Sequence, residues 1–256
     1  MDDADQQRTV ELAGPVHLRL TLGPLRRGRS DPSMRIGPDG VWRASRTPAG
    51  PATTLLTVGG TTVTGRSWGP GAEWALDALP GLVGSADPVD GFDPCDDPVV
   101  VNLHRRLPGL RIGRSGAVVE ALVPSILEQK VVGLEARRSY ARLVRALGEP
   151  APGPVPLLVP PAPAVLAATP AWAFHRFGVE RRRADTIRVA CSYAHRLEEI
   201  GAMAMADAYG RLTALPGVGP WTAAEVALVA LGDCDAVSVG DFHLPDQVAW
   251  ALVGEA

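Results

Sequence analysis

The sequence of 256 residues predicts an α+β fold in which a small antiparallel β-sheet domain precedes an all-helical domain. Two observations predict it. Short β-branched runs divided by Gly and Pro occupy the first hundred positions, whereas apolar residues recur at helical spacing from residue 116 onward. A stretch rich in Pro, Gly and Asp lies between the two patterns. We therefore predict one domain over residues 1–100 and a second over residues 101–256.

Three runs mark the strands of the first domain. "PVHLRLTL", residues 15–22, alternates apolar and polar residues, while "ATTLLTV" (52–58) and "TTVTG" (61–65) are β-branched. A helix is predicted over residues 71–84. Residues 85–99 are predicted to form a loop into the second domain, because Pro, Gly and Asp dominate them.

The second domain shows helical spacing throughout. Pro124 is predicted to kink or break its first helix. The apolar face of that helix comprises Val118, Leu122, Ile126, Leu127 and Val131. Residues 149–163 are Pro-rich and predict an extended spacer. Further helices are predicted over residues 162–170, 170–178, 180–200 and 205–215.

Composition favours a soluble protein of the cytoplasm that does not contact a membrane. No window reaches 18 consecutive apolar residues, and the acidic start "MDDADQQRT" lacks the pattern of a signal peptide. The cysteines at 95, 191 and 234 are far apart and odd in number. They fit neither a disulfide framework nor a CxxC metal site, so no metal is predicted.

The charge is mildly acidic, with a formal net charge of −3. Residues 1–100 carry a net −4 and residues 101–256 carry +1, so phosphate binding would depend on local basic clusters. Two such clusters are "HRRLPGLRIGR" (104–114) and "ERRRAD" (180–185). Either one can equally be a solvated surface.

The stretch "ALPGVGPWTAAEVALVAL", residues 214–231, places Pro216, Gly217, Gly219 and Pro220 in one turn before an alanine-rich helix. The two glycines allow positive φ and a close backbone approach, so the turn can direct its N–H groups outward. The first amides of the following helix lack intrahelical partners, and the helix dipole adds partial positive charge there. The pattern predicts a phosphate-binding turn that needs no lysine or arginine.

The string Leu215-Pro216-Gly217-Val218-Gly219, followed by Trp221-Thr222-Ala223, resembles the helix-hairpin-helix motif of the base-excision DNA glycosylases. The resemblance covers about residues 110–250. It implies that the hairpin, with Thr222, binds DNA, that damaged double-stranded DNA is the partner, and that the protein is a monomer near the nucleoid. Residues 1–100 resemble, more weakly, the accessory β-domain of bacterial 3-methyladenine DNA glycosylase II.

Members of this superfamily place an essential aspartate downstream of the hairpin. Here Asp241 lies twenty positions after Trp221, in "VGDFHL", and the resemblance implies that it is the catalytic carboxylate. Asp241 can also cap the helix of "LPDQVAWAL". Asp246 is the rival in a Leu-Pro-Asp context, five residues further on, and His243 is a candidate supporting residue.

Two upstream segments also resemble parts of these glycosylases. "ALVPSILEQKVVG", residues 121–133, resembles the helix whose end wedges into the duplex where the nucleotide has left. By position this implies Gln129 or Lys130 as the wedge, although a charged lysine differs from the apolar wedge of some alkylpurine enzymes. "GVERRRADTIR", residues 178–188, implies arginine contacts to phosphate.

The resemblance also indicates a reaction. The target nucleotide must leave the duplex, and Trp221 would stack on the extruded base, which is cationic in an alkylated purine and attracted by an indole. Asp241 would stabilise the oxocarbenium-like sugar and orient the attacking water. Glu225 stands where alkylpurine relatives often have an aromatic residue. Its charge either favours a cationic base or faces solvent.

These residues predict a monofunctional glycosylase that removes alkylated purines such as 3-methyladenine. Strand-cutting relatives typically use a lysine in the hairpin, where this chain has Trp221, and its one lysine is Lys130. Two alternatives stay open: a non-catalytic helix-hairpin-helix DNA-binding protein, and a glycosylase for oxidised or mismatched bases. No cofactor is expected to be required, although the resemblance implies that a monovalent cation can sit in the hairpin. Relatives generally continue past the helix after Asp241, so we expect the glycosylase domain to lack its C-terminal helices.

Overall fold

The structure is a computed structural model and describes residues 6–87 and 92–254. It confirms the α+β class, because the described residues form a five-stranded antiparallel sheet followed by many helices. The strands of this sheet are β1 Gln6–Glu11, β2 Met34–Gly37, β3 Gly40–Thr47, β4 Gly50–Gly59 and β5 Thr62–Trp68. Residues 88–91, in the predicted loop, lie outside the described residues.

The sheet has the strand order β1-β5-β4-β3-β2, with every neighbouring pair antiparallel. The two β-branched runs lie at its centre, as predicted. Residues 52–58 lie within β4 and most of 61–65 within β5, in a register that pairs Val58 with Val63. β-Branched side chains suit this position because they pack well on a pleated surface.

The predicted strand over residues 15–22 is wrong, because Leu18–Thr21 forms a short helix, α1. Leu18, Thr21 and Leu22 are buried, which is the i, i+3, i+4 spacing of a helix face. Val16 and Leu18 are both buried as well, so the start of the segment fits a period of two. Over so few residues the two periods overlap, and the tertiary contacts decide between them.

The helix predicted over residues 71–84 forms as two short helices, α2 Ala72–Asp77 and α3 Leu79–Leu82. Pro80 lies in the first turn of α3, where a residue without an N–H is tolerated, and it divides the segment. These helices cover one face of the sheet. The core between them and the sheet includes Leu12, Leu22, Leu56, Val63, Leu79 and Leu82.

Helices make up most of the described chain beyond residue 97. They are α4 Pro98–Arg106, α5 Val118–Leu127, α6 Gly133–Leu147, α7 Pro163–Ala168, α8 Arg181–Ser192, α9 Ala194–Glu198, α10 Met205–Thr213, α11 Pro220–Val226 and α12 Leu244–Val253. A one-turn π-helix, Ala227–Leu231, extends α11. The Pro-rich spacer holds a two-residue strand pair, β6 Glu149–Pro150 with β7 Leu158–Val159. No helix in the described residues is long and apolar enough to cross a membrane.

Helix α5 is the buried centre of the helical part. All its side chains except Glu120 are buried, including those of the predicted apolar face within Val118–Leu127. The helix continues through Pro124, so that proline does not break it. Glu198 of α9 accepts hydrogen bonds from the first two amides of α5, at 2.9 and 3.0 Å, and so caps this helix from outside.

The sheet packs directly on the helical part through polar contacts. Arg43 of β3 donates to Glu120 of α5 at 2.5 Å, and both side chains are largely buried. The Ser33 and Tyr140 hydroxyls lie 3.1 Å apart in the same interface. These contacts orient α5 and α6 against the sheet. The division of the chain into domains at residue 100 stays a prediction.

Candidate functional site

The hairpin lies between α10 and α11, and its apolar residues fix it to the helical core. Val218 is buried, and Leu215 packs against the same core. The amide of Val218 donates to the carbonyl of Leu215 at 3.0 Å, which closes the turn. Pro216 and Gly217 are exposed, so the turn has one apolar face inward and one face toward solvent.

The two glycines of the hairpin serve different purposes. Gly217 has φ +87°, and a Cβ there would collide with the Thr186 hydroxyl of α8, so both conformation and space require glycine. Gly219 has φ −98° and occupies the position that caps α11. Of the two glycines, Gly217 uses the positive φ that glycine allows, and Gly219 does not. A Cβ at Gly219 would meet nothing within 4 Å, so the protein itself leaves this space open.

Gln129, at the end of α5, ties α5 to the hairpin. Its Nε2 donates to the Gly217 carbonyl and to the Thr222 hydroxyl, both at 2.9 Å. Thr222 is 2% exposed, so its hydroxyl depends on a protein partner. The amide that was predicted as a duplex wedge thus holds the hairpin in this structure. Lys130, the other predicted wedge, is exposed with φ +53°.

An open groove of about 520 Å³ lies between α8 and the hairpin. Of the four arginines in the segment predicted to contact phosphate, Arg181 and Arg182 line it. Arg183 turns inward instead, is 6% exposed, and donates from Nη1 to the Leu127 carbonyl at 2.7 Å. Arg183 therefore caps the end of α5 and cannot also reach a phosphate. The groove is lined by Arg181, Arg182, Asp185, Thr186, Val189, Pro216 and Gly217.

Trp221 and Asp241 meet at the mouth of α11. The indole Nε1 of Trp221 donates to Oδ2 of Asp241 at 3.0 Å. The other oxygen, Oδ1, accepts from the amides of His243 and Leu244 at 2.8 and 2.9 Å. Asp241 thus also satisfies amides at the start of α12, the capping role expected of it, although it lies two residues before the capping position itself.

These three hydrogen bonds keep Asp241 ionised. The bonds from the His243 amide, then the Leu244 amide, then the Trp221 indole hold its pKa below the ordinary value of 3.8. Both residues of the pair are half-buried, so one side of each stays accessible. The result is a fixed, negatively charged carboxylate at the edge of the Trp221 ring, near the hairpin.

Two further carboxylates lie close to this pair. Glu225, one turn after Trp221, accepts a hydrogen bond from the Ser238 hydroxyl. Glu128, next to Gln129, is 3.5 Å from Arg27. Burial raises the pKa of Glu128 above its ordinary value, and the charge of Glu225 raises it further. Sequence reasoning missed Glu128 and Ser238, because neither has a local signal.

The other predicted residues lie further out. Asp246, the rival catalytic carboxylate, is exposed in the first turn of α12. The side chain of His243 is exposed and packs edge-on against Phe242, with ring centroids 4.9 Å apart. Within residues 6–87 and 92–254, no group of three or more His, Cys, Asp or Glu side chains is arranged to hold a metal ion.

The curated proteins that match this chain in sequence are the same protein from two strains of Mycobacterium tuberculosis. No family model matches this chain. The chain is 33% identical over 150 residues to the probable bifunctional transcriptional activator/DNA repair enzyme AlkA of Mycobacterium tuberculosis, over 58% of this chain. It spans 30% of the length of that curated relative.

Solved structures share the fold over nearly the whole chain. The 3-methyladenine DNA-glycosylase from Archaeoglobus fulgidus matches with a TM-score of 0.83 and 20% identity, over 97% of this chain and 87% of that one. The Clostridium acetobutylicum 8-oxoguanine glycosylase/lyase, in complex with double-stranded DNA, matches with a TM-score of 0.71 and 14% identity, over 99% and 87%. The resemblance to helix-hairpin-helix DNA glycosylases is therefore confirmed at the level of the fold.

Proposed function

We propose that this chain, which has the fold of the helix-hairpin-helix DNA glycosylases, is itself a DNA glycosylase of base-excision repair. It would extrude a damaged nucleotide from duplex DNA and hydrolyse the bond between base and sugar. The observation that carries the proposal is the 3.0 Å hydrogen bond between Trp221 and Asp241. It fixes an ionised carboxylate and an aromatic face side by side, next to a hairpin that can hold the DNA backbone.

The hairpin would bind phosphate through its backbone. The amides at the start of α11 point out of the helix, where the helix dipole favours an anion. The open space at Gly219 lets a phosphate approach the backbone closely. Arg181 and Arg182, in the adjoining groove, add charge for the same strand.

Asp241 would act on the sugar. As the bond from C1′ to the base nitrogen breaks, its electron pair goes to the base, and positive charge develops on the sugar. Ionised Asp241 stabilises that charge, and water adds to C1′ while its proton leaves to the carboxylate or to solvent. The Trp221 indole keeps Oδ2 in a fixed orientation, which reduces the reorganisation needed in the transition state.

The substrate we propose is an alkylated purine such as 3-methyladenine. Such a base is cationic, so it leaves without prior protonation, and an indole face attracts it by about 0.5–2 kcal/mol. Glu225, one turn after Trp221 on the same helix, adds a carboxylate near the indole. A pocket of this charge favours a cationic base over a neutral one.

We also propose that the enzyme leaves an intact abasic site. Strand cleavage through a Schiff base needs a lysine, and the one lysine, Lys130, follows Gln129 rather than standing in the hairpin. No cofactor is needed for this reaction. A cation in the hairpin would compete with the hydrogen bonds that the Leu215 and Gly217 carbonyls already accept.

A glycosylase for oxidised or mismatched bases is the second candidate, favoured by the fold shared with the 8-oxoguanine glycosylase/lyase. A non-catalytic DNA-binding protein is the third. Single-turnover assays of base release distinguish these two functions from the main proposal. They use three duplexes, one with an alkylated base, one with an oxidised base and one with a mismatched base.

Asp241→Asn is the decisive variant, and Asp246→Asn is its matched control, since that carboxylate is exposed in the first turn of α12. We expect release of the alkylated base, a fall of about 10²–10³-fold with Asp241→Asn, and no change with Asp246→Asn. If a base is released only from the oxidised or the mismatched duplex, the substrate is that base and not an alkylated purine. Duplex binding without any release would leave only the binding function.

A further inference from the structure

A strongly basic surface lies beside the hairpin and is absent from the mechanism above. It is formed by residues 26–31 and residues 128–145, which together carry eight basic and three acidic side chains, a net charge of +5. The whole chain has a formal net charge of −3, so the remaining residues carry −8. A surface of one sign on a protein of the opposite net charge indicates a specific partner rather than general repulsion or solubility.

The two segments of this basic surface are held together by the structure. Gly28 lies against Arg137, since a Cβ at Gly28 would be 3.0 Å from Cδ of Arg137. Nη2 of Arg145 donates to the Ser30 carbonyl at 2.9 Å, about two helical turns further along α6. Loop 26–31 therefore runs along α6, and the side chains of Arg29, Arg137 and Arg145 are exposed on that side.

The basic surface is continuous with the catalytic site. Arg27 lies 3.5 Å from Glu128, which is followed by Gln129, and Gln129 donates to the hairpin carbonyl at Gly217. Exposed Lys130 stands between Gln129 and α6. A molecule seated on the outer face of the hairpin would therefore meet the basic surface if it extended in this direction.

We propose that this basic surface binds the phosphate backbone of the duplex flanking the damaged nucleotide; the inference rests on the proposed function for the position of the lesion. From residue 133 to residue 145, α6 is about 18 Å long. A duplex repeats its phosphates every ~3.4 Å along each strand, so the surface would cover about five base pairs. Arginine is suited to this task because its planar guanidinium pairs with phosphate oxygens.

The test compares Arg29→Gln/Arg137→Gln with the control Arg19→Gln/Arg196→Gln, which removes the same charge from two exposed arginines elsewhere. Arg19 lies in α1 and Arg196 in α9, the helix that caps the opposite end of α5 from Gln129. The probe is a 30-base-pair duplex with a central tetrahydrofuran abasic site. Binding to it needs no base release, so this experiment can succeed or fail independently of the proposed reaction.

Each neutralised phosphate contributes about −0.9 to the slope of log K against log salt. We expect the slope of the Arg29/Arg137 variant to be less steep than that of the wild type by about 1–2. Between 50 and 200 mM salt, the fold-loss of affinity should therefore be about ten times smaller for the variant than for the wild type. The control variant should keep the wild-type slope. Duplexes that end one base pair beyond the abasic site on one side should abolish the difference for one orientation and retain it for the other.

An unchanged slope in the Arg29/Arg137 variant would overturn the proposal. So would an equal change in the control variant, or an effect that survives shortening on either side. If Arg137→Gln lowers the melting temperature, Arg29→Gln alone, in an exposed loop, supplies the same comparison with half the slope change. If the Arg29/Arg137 variant binds vesicles of phosphatidylserine and phosphatidylcholine more weakly than the wild type but binds DNA equally well, the surface belongs to a membrane contact instead.

Discussion

Gln129→Met separates two roles that Gln129 can have, a wedge in the duplex or a clamp on the hairpin. Methionine keeps the length of the side chain but removes the amide that donates to the Gly217 carbonyl and the Thr222 hydroxyl, both at 2.9 Å. A neutral hydrogen bond contributes about 0.5–1.5 kcal/mol, and the bond to buried Thr222 lies at the upper end because water cannot replace it. The expected loss is about 2 kcal/mol.

This loss has two measurable consequences. Since 1 kcal/mol corresponds to about 2–4 °C in a chain of this size, the melting temperature should fall by about 4–8 °C. The affinity for the tetrahydrofuran duplex should fall by up to about 30-fold, if the whole loss falls on the conformation of the hairpin that binds DNA. Thermal unfolding followed by circular dichroism, and fluorescence anisotropy of a labelled duplex, measure the two quantities.

Lys130→Met is the control for Gln129→Met. Lys130 is exposed, and methionine is no more strained than lysine at φ +53°, so the melting temperature should stay at the wild-type value. A melting temperature unchanged by Gln129→Met, together with slower base release, would refute the clamp and restore Gln129 as the wedge. Slower release in Lys130→Met alone would assign the wedge to Lys130.

Three further predictions follow from the same geometry. Gly219→Ala should fold as the wild type does, because its Cβ meets nothing within 4 Å, yet bind the duplex more weakly. Gly217→Ala should lower the free energy of unfolding by about 1–3 kcal/mol, because Gly217 has a positive φ and its Cβ would collide with Thr186. Melting curves and fluorescence anisotropy of both variants check these two expectations. Burial raises the pKa of Glu198 above 4.5, so the protonated carboxyl stabilises the fold below pH 4.5, and this contribution is lost as the pH rises through the raised pKa. The free energy of unfolding, measured in urea across pH 4–8, should therefore decline with pH in the wild type and decline less in Glu198→Gln. Because hydrogen bonds hold the pKa of Asp241 below 3.8, the rate of base release should not fall with acid until the pH is below 3.8. If the rate falls at a higher pH, and this fall disappears when another titratable residue is replaced, that residue and not Asp241 controls the acid side of the profile.

The parts of the fold that were predictable are those with a repeating local signal. The β-branched runs of β4 and β5 and the apolar face of α5 appear where their spacing placed them. The exception, residues 15–22, is a segment too short for its period to be read. The sequence did not predict that α5 is buried on nearly all sides, because this depends on which helices surround it.

The candidate site was predictable in its backbone and less so in its side chains. The hairpin sequence and the distance in sequence to Asp241 identified the two elements that meet. The sequence could not show that Gln129 bonds to the hairpin, that Arg183 is buried while Arg181 and Arg182 are not, or that Arg27 reaches Glu128. Each of these depends on the direction of a long side chain, which packing chooses among several rotamers.

Local patterns in the sequence predict the α+β class and the hairpin, because glycine, proline and periodic apolar residues act over a few neighbouring positions, and the resemblance to the glycosylases pointed to Asp241. Tertiary packing is needed to bring the Trp221 indole to Asp241, twenty residues away, and to join residues 26–31 with α6 in one basic surface. These pairs are distant along the chain, and they meet because packing in the buried cores fixes where each element lies. A hydrogen bond or a charged surface needs positions in space, which local sequence patterns do not contain.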